Sequence, residues 1–183
     1  MLFRSPDVHL ALQTDAGVFS PGRLDPGSRV LLETAPPPPA TGDLLDLGCG
    51  YGALALVLAS RAPGASVWAT DVNRRALALC SINKGAAGLG NVRCVPPGDP
   101  DLPASFRLIW SNPPIRIGKA ALHELLSDWL ARLTADGEAF LVVQRNLGSD
   151  SLQRWLAGAG WAADRFAARA GYRVLRVTRE AGA

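Results

Sequence analysis

The chain of 183 residues carries 19 Lys and Arg against 16 Asp and Glu, a net charge of +3, and is 48% hydrophobic. That length suits one domain with its own core (residues 1–183) rather than two, and the composition excludes wholesale disorder. Three cysteines without a C-x-x-C pair and two distant histidines predict neither a disulfide framework nor a metal site. No apolar run approaches the roughly 18 residues of a membrane span, and the N-terminus lacks a signal-peptide core. We therefore expect a cytoplasmic protein with no metal and no membrane partner.

Positive charge is unevenly distributed along the chain. Residues 1–144 carry 12 basic and 13 acidic side chains, whereas residues 145–183 carry seven arginines against three acidic residues. Arginine grips phosphate bidentately and stacks on bases, so this bias suits an RNA partner. It is equally consistent with a codon-composition effect in a chain rich in Ala, Gly and Arg, and both interpretations remain open at this point.

The first 40 residues predict an N-terminal extension of one strand and one helix. The strand is expected over Val8–Leu12. Asp25-Pro26-Gly27 predicts a helix start that continues through Leu32, because proline suits the first helical turn. The prolines at 36–39 form a stiff connector that ends this extension.

From residue 43 to residue 179, strands and helices alternate in a catalytic core. One predicted helix has Ala76, Leu79, Cys80 and Ile82 on its inner face. Alternation followed by a terminal hairpin predicts an α/β fold: a doubly wound, mostly parallel, seven-stranded sheet with a C-terminal antiparallel hairpin. The predicted strands are 43–47, 65–70, 91–95, 106–110, 138–144, 161–165 and 172–178, and the helices are 53–60, 73–86, 119–133 and 150–157.

A glycine-rich loop, Gly48-x-Gly50-x-Gly52, follows the first core strand, where ligands of open α/β sheets bind. Asp71 ends the second strand and is placed to accept the hydroxyls of a ribose. A nicotinamide dinucleotide would explain the glycines, but Asp46 would then meet its pyrophosphate with like charge. S-adenosylmethionine instead carries an ammonium and a sulfonium, so this loop favours S-adenosylmethionine as cofactor.

The segment from Asp46 to Gly52 resembles the cofactor loop of the class I S-adenosylmethionine-dependent methyltransferases, which have a Rossmann-like fold. In those enzymes an acid after the third strand meets the adenine amino group, and Asp99 is the matching acid here, with Asp101 as the alternative. The resemblance implies these cofactor-binding residues: Asp46, Gly48, Cys49, Gly50, Tyr51, Gly52, Asp71, Val72, Asn73, Asp99 and Asn112.

Ser111-Asn112-Pro113-Pro114 follows the fourth core strand and resembles the Asn-Pro-Pro-aromatic motif of methyltransferases that act on exocyclic or amide nitrogen. The side-chain oxygen of Asn112 and the carbonyl of Pro113 are placed to accept both N–H groups of a target amine, which aims its lone pair at the methyl carbon. Asn112, Pro113 and Pro114 are therefore the predicted catalytic residues. Ile115 replaces the aromatic residue that stacks on the target, and Phe19 and Arg116 are candidates to compensate. Trp110 could also supply a ring, but it lies on a predicted strand and is rather expected in the core.

A wider resemblance is carried by Phe19-Ser20, Leu24-Asp25-x-Gly27-Ser28, Asp71-Val-Asn73, Asn83, Ser111-Asn-Pro-Pro-Ile-Arg-Ile-Gly-Lys119 and Gly171-Tyr172-Arg173-Val174. It covers about residues 8–178 and is to the compact single-domain subgroup of the small-domain methyltransferase family. Its best-known members methylate the N2 amino group of guanine in ribosomal RNA. The resemblance implies that Phe19 lies over the cofactor cleft and that ribosomal RNA or a ribosomal subunit is the partner. The predicted substrate contacts are Ile115, Arg116, Lys119 and Arg173, and the candidates for a phosphate track are Arg165, Arg169, Arg173, Arg176 and Arg179, unless these arginines form a solvated basic face.

Other functions remain open from the residues alone. Methylation of a protein glutamine amide uses the same Asn-Pro-Pro chemistry, although those enzymes keep the aromatic residue and add a substrate-binding domain. An oxidoreductase is disfavoured by Asp46. A non-catalytic RNA-binding protein is disfavoured by Asp46, Asp71 and Asn112 together. The sequence leaves monomer and homodimer equally open.

Overall fold

A computed structural model describes residues 1–5 and 7–180, so residues 181–183 of the predicted domain lie outside the described residues. Two short 3-10 turns, Ile115–Ile117 and Arg145–Leu147, interrupt the regular elements. The strands are β1 (Leu2–Arg4), β2 (His9–Ala11), β3 (Gly42–Leu47), β4 (Ala65–Thr70), β5 (Val92–Val95), β6 (Phe106–Ser111), β7 (Leu133–Gln144), β8 (Trp161–Arg169) and β9 (Tyr172–Arg179); the helices are α1 (Pro26–Thr34), α2 (Ala53–Arg61), α3 (Arg74–Ala86), α4 (Lys119–Leu130) and α5 (Ser149–Gly158).

Seven strands form one sheet in the order β5-β4-β3-β6-β7-β9-β8. The first five of these pair in parallel, and β9 joins β7 and β8 antiparallel. The chain winds outward from β3 in one direction and from β6 in the other, so the order reverses between β3 and β6. Ligands of open α/β sheets bind outside the carboxyl ends of the strands at such a reversal. The predicted fold is confirmed.

Both faces of the sheet are covered, because the central strands are apolar on both sides. α1, α2 and α3 pack on one face and α4 and α5 on the other, which divides the core into two clusters. Trp110 is fully buried in the first cluster and is therefore not available to stack on a substrate. No helix within the described residues is long and apolar enough to cross a membrane.

The structure differs from the predicted elements at several boundaries. The helix expected to end at residue 133 ends at Leu130, and Leu133 instead begins β7, whose pairing with β6 contains a register shift. The polar stretch after Leu133 resembles a turn in sequence, but Gly137 packs so closely on β6 that an added Cβ would lie 2.9 Å from the Phe106 carbonyl oxygen. β8 also continues to Arg169, beyond the predicted residue 165, and the short strand β1 was not predicted.

The inner face of α3 was predicted wrongly at one position. Ile82 is 49% exposed, whereas the neighbouring Asn83 is fully buried. Asn83 takes the inward position because its side chain is satisfied there: it donates to the carbonyls of Gln13 and Tyr51 and accepts from the Gln13 amide, at 2.7 to 2.9 Å. A buried amide with such partners replaces an apolar contact without an unpaired polar group.

These bonds also fasten the N-terminal segment to the core. Beyond Gln13, the chain is held by a hydrogen bond from Asn73 to the Gly17 carbonyl (3.0 Å) and by one from the Tyr51 hydroxyl to the Arg23 carbonyl (3.2 Å). Residues 13–25 are thereby held alongside α3 and the glycine-rich loop, and α1 begins next to the carboxyl end of β6.

Candidate active site

Three backbone amides of the glycine-rich loop after β3 donate hydrogen bonds to residues at the end of β4. Gly48 and Cys49 both donate to the Thr70 carbonyl, at 2.9 and 3.0 Å, and Gly50 donates to Asp71 Oδ2 at 2.9 Å. In a loop that cradles a pyrophosphate, such N–H groups point at phosphate oxygens. Here they are taken by β4 and by the residue that follows it, so the loop is not arranged to bind phosphate.

The loop is nevertheless open on its outer side. Gly48 and Gly50 have positive φ angles of 76° and 55°, and a Cβ built on either residue would meet no atom within 4 Å. Gly52 differs, because its Cβ would lie 2.5 Å from Cys80 Sγ. Two glycines therefore border a cleft and the third allows close packing of the loop on α3.

Asp46 lies beneath this loop and is completely buried. Its Oδ2 accepts from the Ala55 amide in the first turn of α2 (2.8 Å), while its Oδ1 has no partner within the described residues. Burial, together with the charge of Asp71, raises the pKa of Asp46 to about 7. A cation bound nearby would favour the ionised carboxylate, and an anion would oppose it. This buried acid therefore fits the ammonium and sulfonium of S-adenosylmethionine.

Asp71 braces the loop from the end of β4. Its Oδ2 accepts from Gly50, and its Oδ1 accepts from the Asn73 amide at 2.8 Å. Each carboxylate oxygen can accept a further hydrogen bond. The predicted ribose contact thus requires only the remaining acceptor capacity of this side chain.

A pocket lies at the reversal point between β3 and β6. It brings together six of the predicted residues, Phe19, Gly48, Cys49, Gly50, Tyr51 and Asn112, and Phe19 is 65% exposed at its edge. The other residues that line it are Asp25, Ser28, Ala53 and Leu54.

Asn112 follows β6 and is held by the N-terminus of α1. Its Nδ2 donates to Asp25 Oδ2 at 2.6 Å and to Ser28 Oγ at 3.1 Å. A carboxylate only accepts hydrogen bonds, so the nitrogen of this amide must face Asp25, which fixes the orientation of the side chain. Asp25 Oδ2 also accepts from the Ser28 amide as the N-cap of α1 (2.9 Å). Asn112 Oδ1 accepts from none of the described residues and is left free as an acceptor.

The residues after Asn112 are not among those that line the pocket. Pro113 is buried, and its carbonyl accepts from the Ile115 amide at 2.8 Å in a tight turn; Pro114 is exposed. Ile115 is partly buried and packs against the second core cluster. Arg116 and Lys119 are exposed.

The remaining predicted residues lie outside the pocket. Val72, Asn73 and Asp99 follow β4 and β5 at the same edge of the sheet, and Val72 is 84% exposed. Arg173 is bound to α5 instead: it donates to Ser149 Oγ at 3.1 Å and pairs with Asp150. The structure does not bring Arg173 together with Asn112.

Two pocket residues, Asp25 and Ser28, were not assigned to the site from the sequence. The stretch Leu24-Asp25-x-Gly27-Ser28 resembles the small-domain methyltransferase family and was the available signal for these two residues, whereas the Asp-Pro dipeptide by itself indicates only a helix cap. Asp25 also acts on two tyrosines: burial and then the Asp25 charge raise the pKa of Tyr51 to about 12 and raise that of Tyr172.

The three cysteines lie close together beside the loop. Cys80 and Cys94 are 3.3 Å apart between sulfur atoms, and their hydrogen bond and burial raise the pKa of Cys94. Burial and these contacts therefore favour the protonated form of the thiols. Among residues 1–5 and 7–180, no group of three or more side chains is arranged to hold a metal ion.

Comparison with known proteins agrees with this geometry. The model of the methyltransferase small domain family matches residues 9–176. The chain belongs to that family. The predicted class, a methyltransferase that uses S-adenosylmethionine, is confirmed by this match together with the open loop and the buried acid beneath it.

Three similar proteins are informative about this methyltransferase. It is 36% identical to the uncharacterized protein YbxB of Bacillus subtilis over 81% of this chain and 76% of that one. It is 35% identical to the ribosomal RNA small subunit methyltransferase C of Pseudomonas entomophila, over 89% of this chain but 49% of the relative. The T. thermophilus 16S rRNA N2 methyltransferase, solved with AdoMet and guanosine, superposes on 98% of this chain with a TM-score of 0.80 and 27% identity. The chain spans about half the length of these rRNA enzymes.

Proposed function

We propose that this methyltransferase transfers the methyl group of S-adenosylmethionine to the exocyclic N2 amino group of a guanine in ribosomal RNA. The observation that carries the proposal is the anchored amide of Asn112, whose Nδ2 is taken by Asp25 and Ser28 and whose Oδ1 remains free in the pocket. The partner is ribosomal RNA or a ribosomal subunit, and the proposed location is the cytoplasm. The relatives described above support this substrate class.

The anchored amide suits an aromatic amine. The lone pair of such a nitrogen is conjugated into the ring, so the nitrogen attacks poorly unless its N–H bonds are held. Asn112 Oδ1 accepts one of them. Pro113 accepts the other through the second lone pair of its carbonyl, since Ile115 uses only one. The residues thus contribute orientation rather than a base.

Bound S-adenosylmethionine supplies the electrophilic methyl group, and the N–C bond forms as the S–C bond breaks. The positive charge passes from sulfur to nitrogen, which then releases a proton to water. We assign Gly48, Cys49, Gly50 and Tyr51 to the cofactor, since they line the pocket, and Asp71 to the ribose. Val72, Asn73 and Asp99 are proposed for the adenine, because they lie along the same edge toward β5.

The test is methyl transfer from tritiated S-adenosylmethionine to small ribosomal subunits and to rRNA stripped of protein. The RNA is digested, and the labelled nucleoside is compared with authentic N2-methylguanosine. We expect label at that nucleoside. Label found only in protein would instead support transfer to a glutamine amide, and label at another nucleoside would contradict the guanine assignment.

Asn112→Ala tests the carrying observation. We expect transfer to fall by about 10²–10³-fold, as for removal of one preorganised polar group from an active site. Calorimetry should show nearly unchanged cofactor affinity, because Asn112 is assigned to the target amine. A large loss of cofactor affinity with an unchanged rate at saturating cofactor would contradict the assigned role.

A further inference from the structure

The cationic side chains of the protein fall into two groups, those with internal partners and those without. Throughout the described part of the chain, most arginines bind a carboxylate, a backbone carbonyl or an aromatic face. Six cations have no such partner among residues 1–5 and 7–180: Arg4, Arg23, Arg74, Arg116, Lys119 and Arg145.

All of these except Arg4 lie near the carboxyl ends of the parallel strands. Arg74 begins α3 after β4, Arg116 and Lys119 follow β6, and Arg145 follows β7. Arg23 lies on the segment whose carbonyl is held by Tyr51 in the glycine-rich loop. We call the segments 19–25, 72–74, 115–119 and 145–147 the carboxyl-edge rim. Within them the only acidic residue is Asp25, which is already bound to Asn112.

Exposed apolar side chains concentrate on the same rim. Phe19 is 65% exposed, Val72 84%, Ile117 50% and Leu147 45%. Ile117 and Leu147 each lie next to, or close to, a free cation, on the short 3-10 turns that follow β6 and β7. Proteins that bind unpaired nucleic acid combine cations for the phosphates with aromatic side chains on which bases stack. On the rim Phe19 is such an aromatic side chain, and Ile117 and Leu147 add aliphatic contact area beside the cations.

The C-terminal arginines, in contrast, are engaged elsewhere. Arg165 and Arg173 share Asp150, Arg169 pairs with Glu33 at 2.9 Å, and Arg176 pairs with Glu138. Arg179 donates to the carbonyls of Ala131 and Leu133 and lies over the ring of Trp161. To bind phosphate, these side chains would first have to give up their internal partners.

We propose that the carboxyl-edge rim is the RNA-contacting surface of the methyltransferase: Arg116, Lys119 and Arg145 bind the phosphates that flank the target, while Ile117 and Leu147 contact the neighbouring bases. This inference rests on the proposed function. The pocket lies between β3 and β6, so the target base must leave its stack to enter it. Phe19 and Asp25 of the rim line this pocket, and the other rim segments follow strands at the same edge of the sheet. The charge of the rim is complementary to a polyanion.

The test compares Arg116→Ala/Lys119→Ala/Arg145→Ala with a hairpin control, Arg165→Ala/Arg169→Ala/Arg179→Ala. Binding to stripped small-subunit rRNA is measured over a series of salt concentrations. The slope of log K against log salt is negative, and each lost phosphate contact reduces its magnitude by about 0.7–0.9. The slopes given below are magnitudes. We therefore expect the slope of the rim variant to fall by about 2–3, with at least a tenfold loss of affinity at about 0.1 M salt, and the slope of the hairpin variant to stay unchanged. A reduced slope for the hairpin variant alone would overturn the proposal.

Two single variants provide a more closely matched comparison of the rim with another part of the surface. Arg145→Ala and Arg4→Ala each remove an exposed arginine without an internal partner, one on the rim and one on β1. The slope should fall by about 1 for Arg145→Ala and stay the same for Arg4→Ala. Equal changes in the slope for the two variants would show that RNA binding depends only on total charge, which would overturn the proposal.

The apolar half is tested by Ile117→Ser/Leu147→Ser, which should lower kcat/KM about tenfold with an unchanged salt slope. An unchanged kcat/KM would overturn the base contacts. Sedimentation of the wild type and of this variant tests whether the rim instead binds a second copy of the chain. A dimer that is present in the wild type and lost in the variant would show that it does. If wild-type protein labels RNA but the rim variants behave normally, only the rim fails; if wild type labels no RNA, the proposed function itself fails.

Discussion

The carboxyl-edge rim and the C-terminal hairpin both carry many cations, but the two regions use them differently. In sequence, the hairpin holds the excess positive charge, since residues 161–179 carry five arginines and one acidic residue. In the fold, its arginines meet carboxylates from distant parts of the chain, Glu33 on α1 and Glu138 on β7. The cations of the rim lie in the near-neutral residues 1–144, apart from Arg145, and their side chains have no partners among the described residues. The charge available to a ligand thus depends on pairing, which a count along the chain does not reveal.

The hairpin arginines attach the antiparallel strands to the rest of the sheet. Glu138 lies opposite Thr178 on β9, so Arg176 is its diagonal neighbour, and such cross-strand pairs add to sheet stability. Arg173 ties β9 to the start of α5. We therefore expect substitutions in the hairpin to change stability, and substitutions at the rim and pocket to change binding and rate.

The largest expected difference in stability between the pocket and the hairpin comes from alanine substitution of their turn glycines. Gly52→Ala should lower the free energy of unfolding by about 2–4 kcal/mol, because its φ of 95° is strained for alanine and the new Cβ would lie 2.5 Å from Cys80 Sγ. Gly171→Ala in the hairpin turn has a similar φ of 80° but open space around it, so we expect about 1 kcal/mol. Urea unfolding of both variants gives the two values.

Gly50→Ala adds a matched control within the loop. Its Cβ also meets open space, so stability should fall as little as in Gly171→Ala, whereas cofactor affinity should be lost because the methyl group enters the cleft. Equal unfolding losses for Gly52→Ala and Gly171→Ala would show that Cys80 moves aside. Unchanged cofactor affinity in Gly50→Ala would contradict the assignment of this loop.

The sequence predicted the sheet, its hairpin and the Asn112 motif because these depend on local patterns: alternation of apolar strands with helices, glycines after a strand, and paired prolines. The anchor of Asn112 could not be predicted, because Asp25 and Asn112 are 87 residues apart and only the packing of α1 joins them. The same reason applies to Arg173, whose partner on α5 is set by tertiary structure. Ile82 was wrongly assigned to the inner face of α3 because its apolar side chain suggests burial, whereas the hydrogen bonds that hold Asn83 inward come from distant residues.

The next largest expected effect is on kcat and comes from removal of the hydrogen bond between Asn112 and Asp25. Serine caps helices well, but its side chain is shorter, so Asp25→Ser should keep α1 and release the amide of Asn112. We expect kcat to fall about 10–100-fold and the melting temperature to change little. Asp25→Asn retains an oxygen for both bonds and should recover most of the rate. The measurement is single-turnover methyl transfer at saturating cofactor.

Asp25→Ala provides the comparison for the cap itself, since it should lose both the rate and about 1 kcal/mol of stability. If Asp25→Ser transferred methyl groups as fast as wild type, Asp25 would act only as a helix cap. In that case Ser28 alone would have to orient Asn112, and Ser28→Ala would show the loss instead.

The smallest effects belong to the hairpin and depend on solvent exposure. Arg173 and Arg165 share Asp150, but the side chain of Arg173 is 16% exposed and that of Arg165 is 55% exposed. Arg173→Ala should therefore lower the free energy of unfolding by about 1 kcal/mol through its bond to Ser149, and Arg165→Ala by at most about 0.5 kcal/mol. Added salt should remove the Arg165 effect and leave most of the Arg173 effect, because exposed pairs are screened. If Arg173→Ala instead left stability unchanged and weakened RNA binding, Arg173 would exchange Asp150 for a phosphate, and the division between an attaching hairpin and a binding rim would not hold at that position.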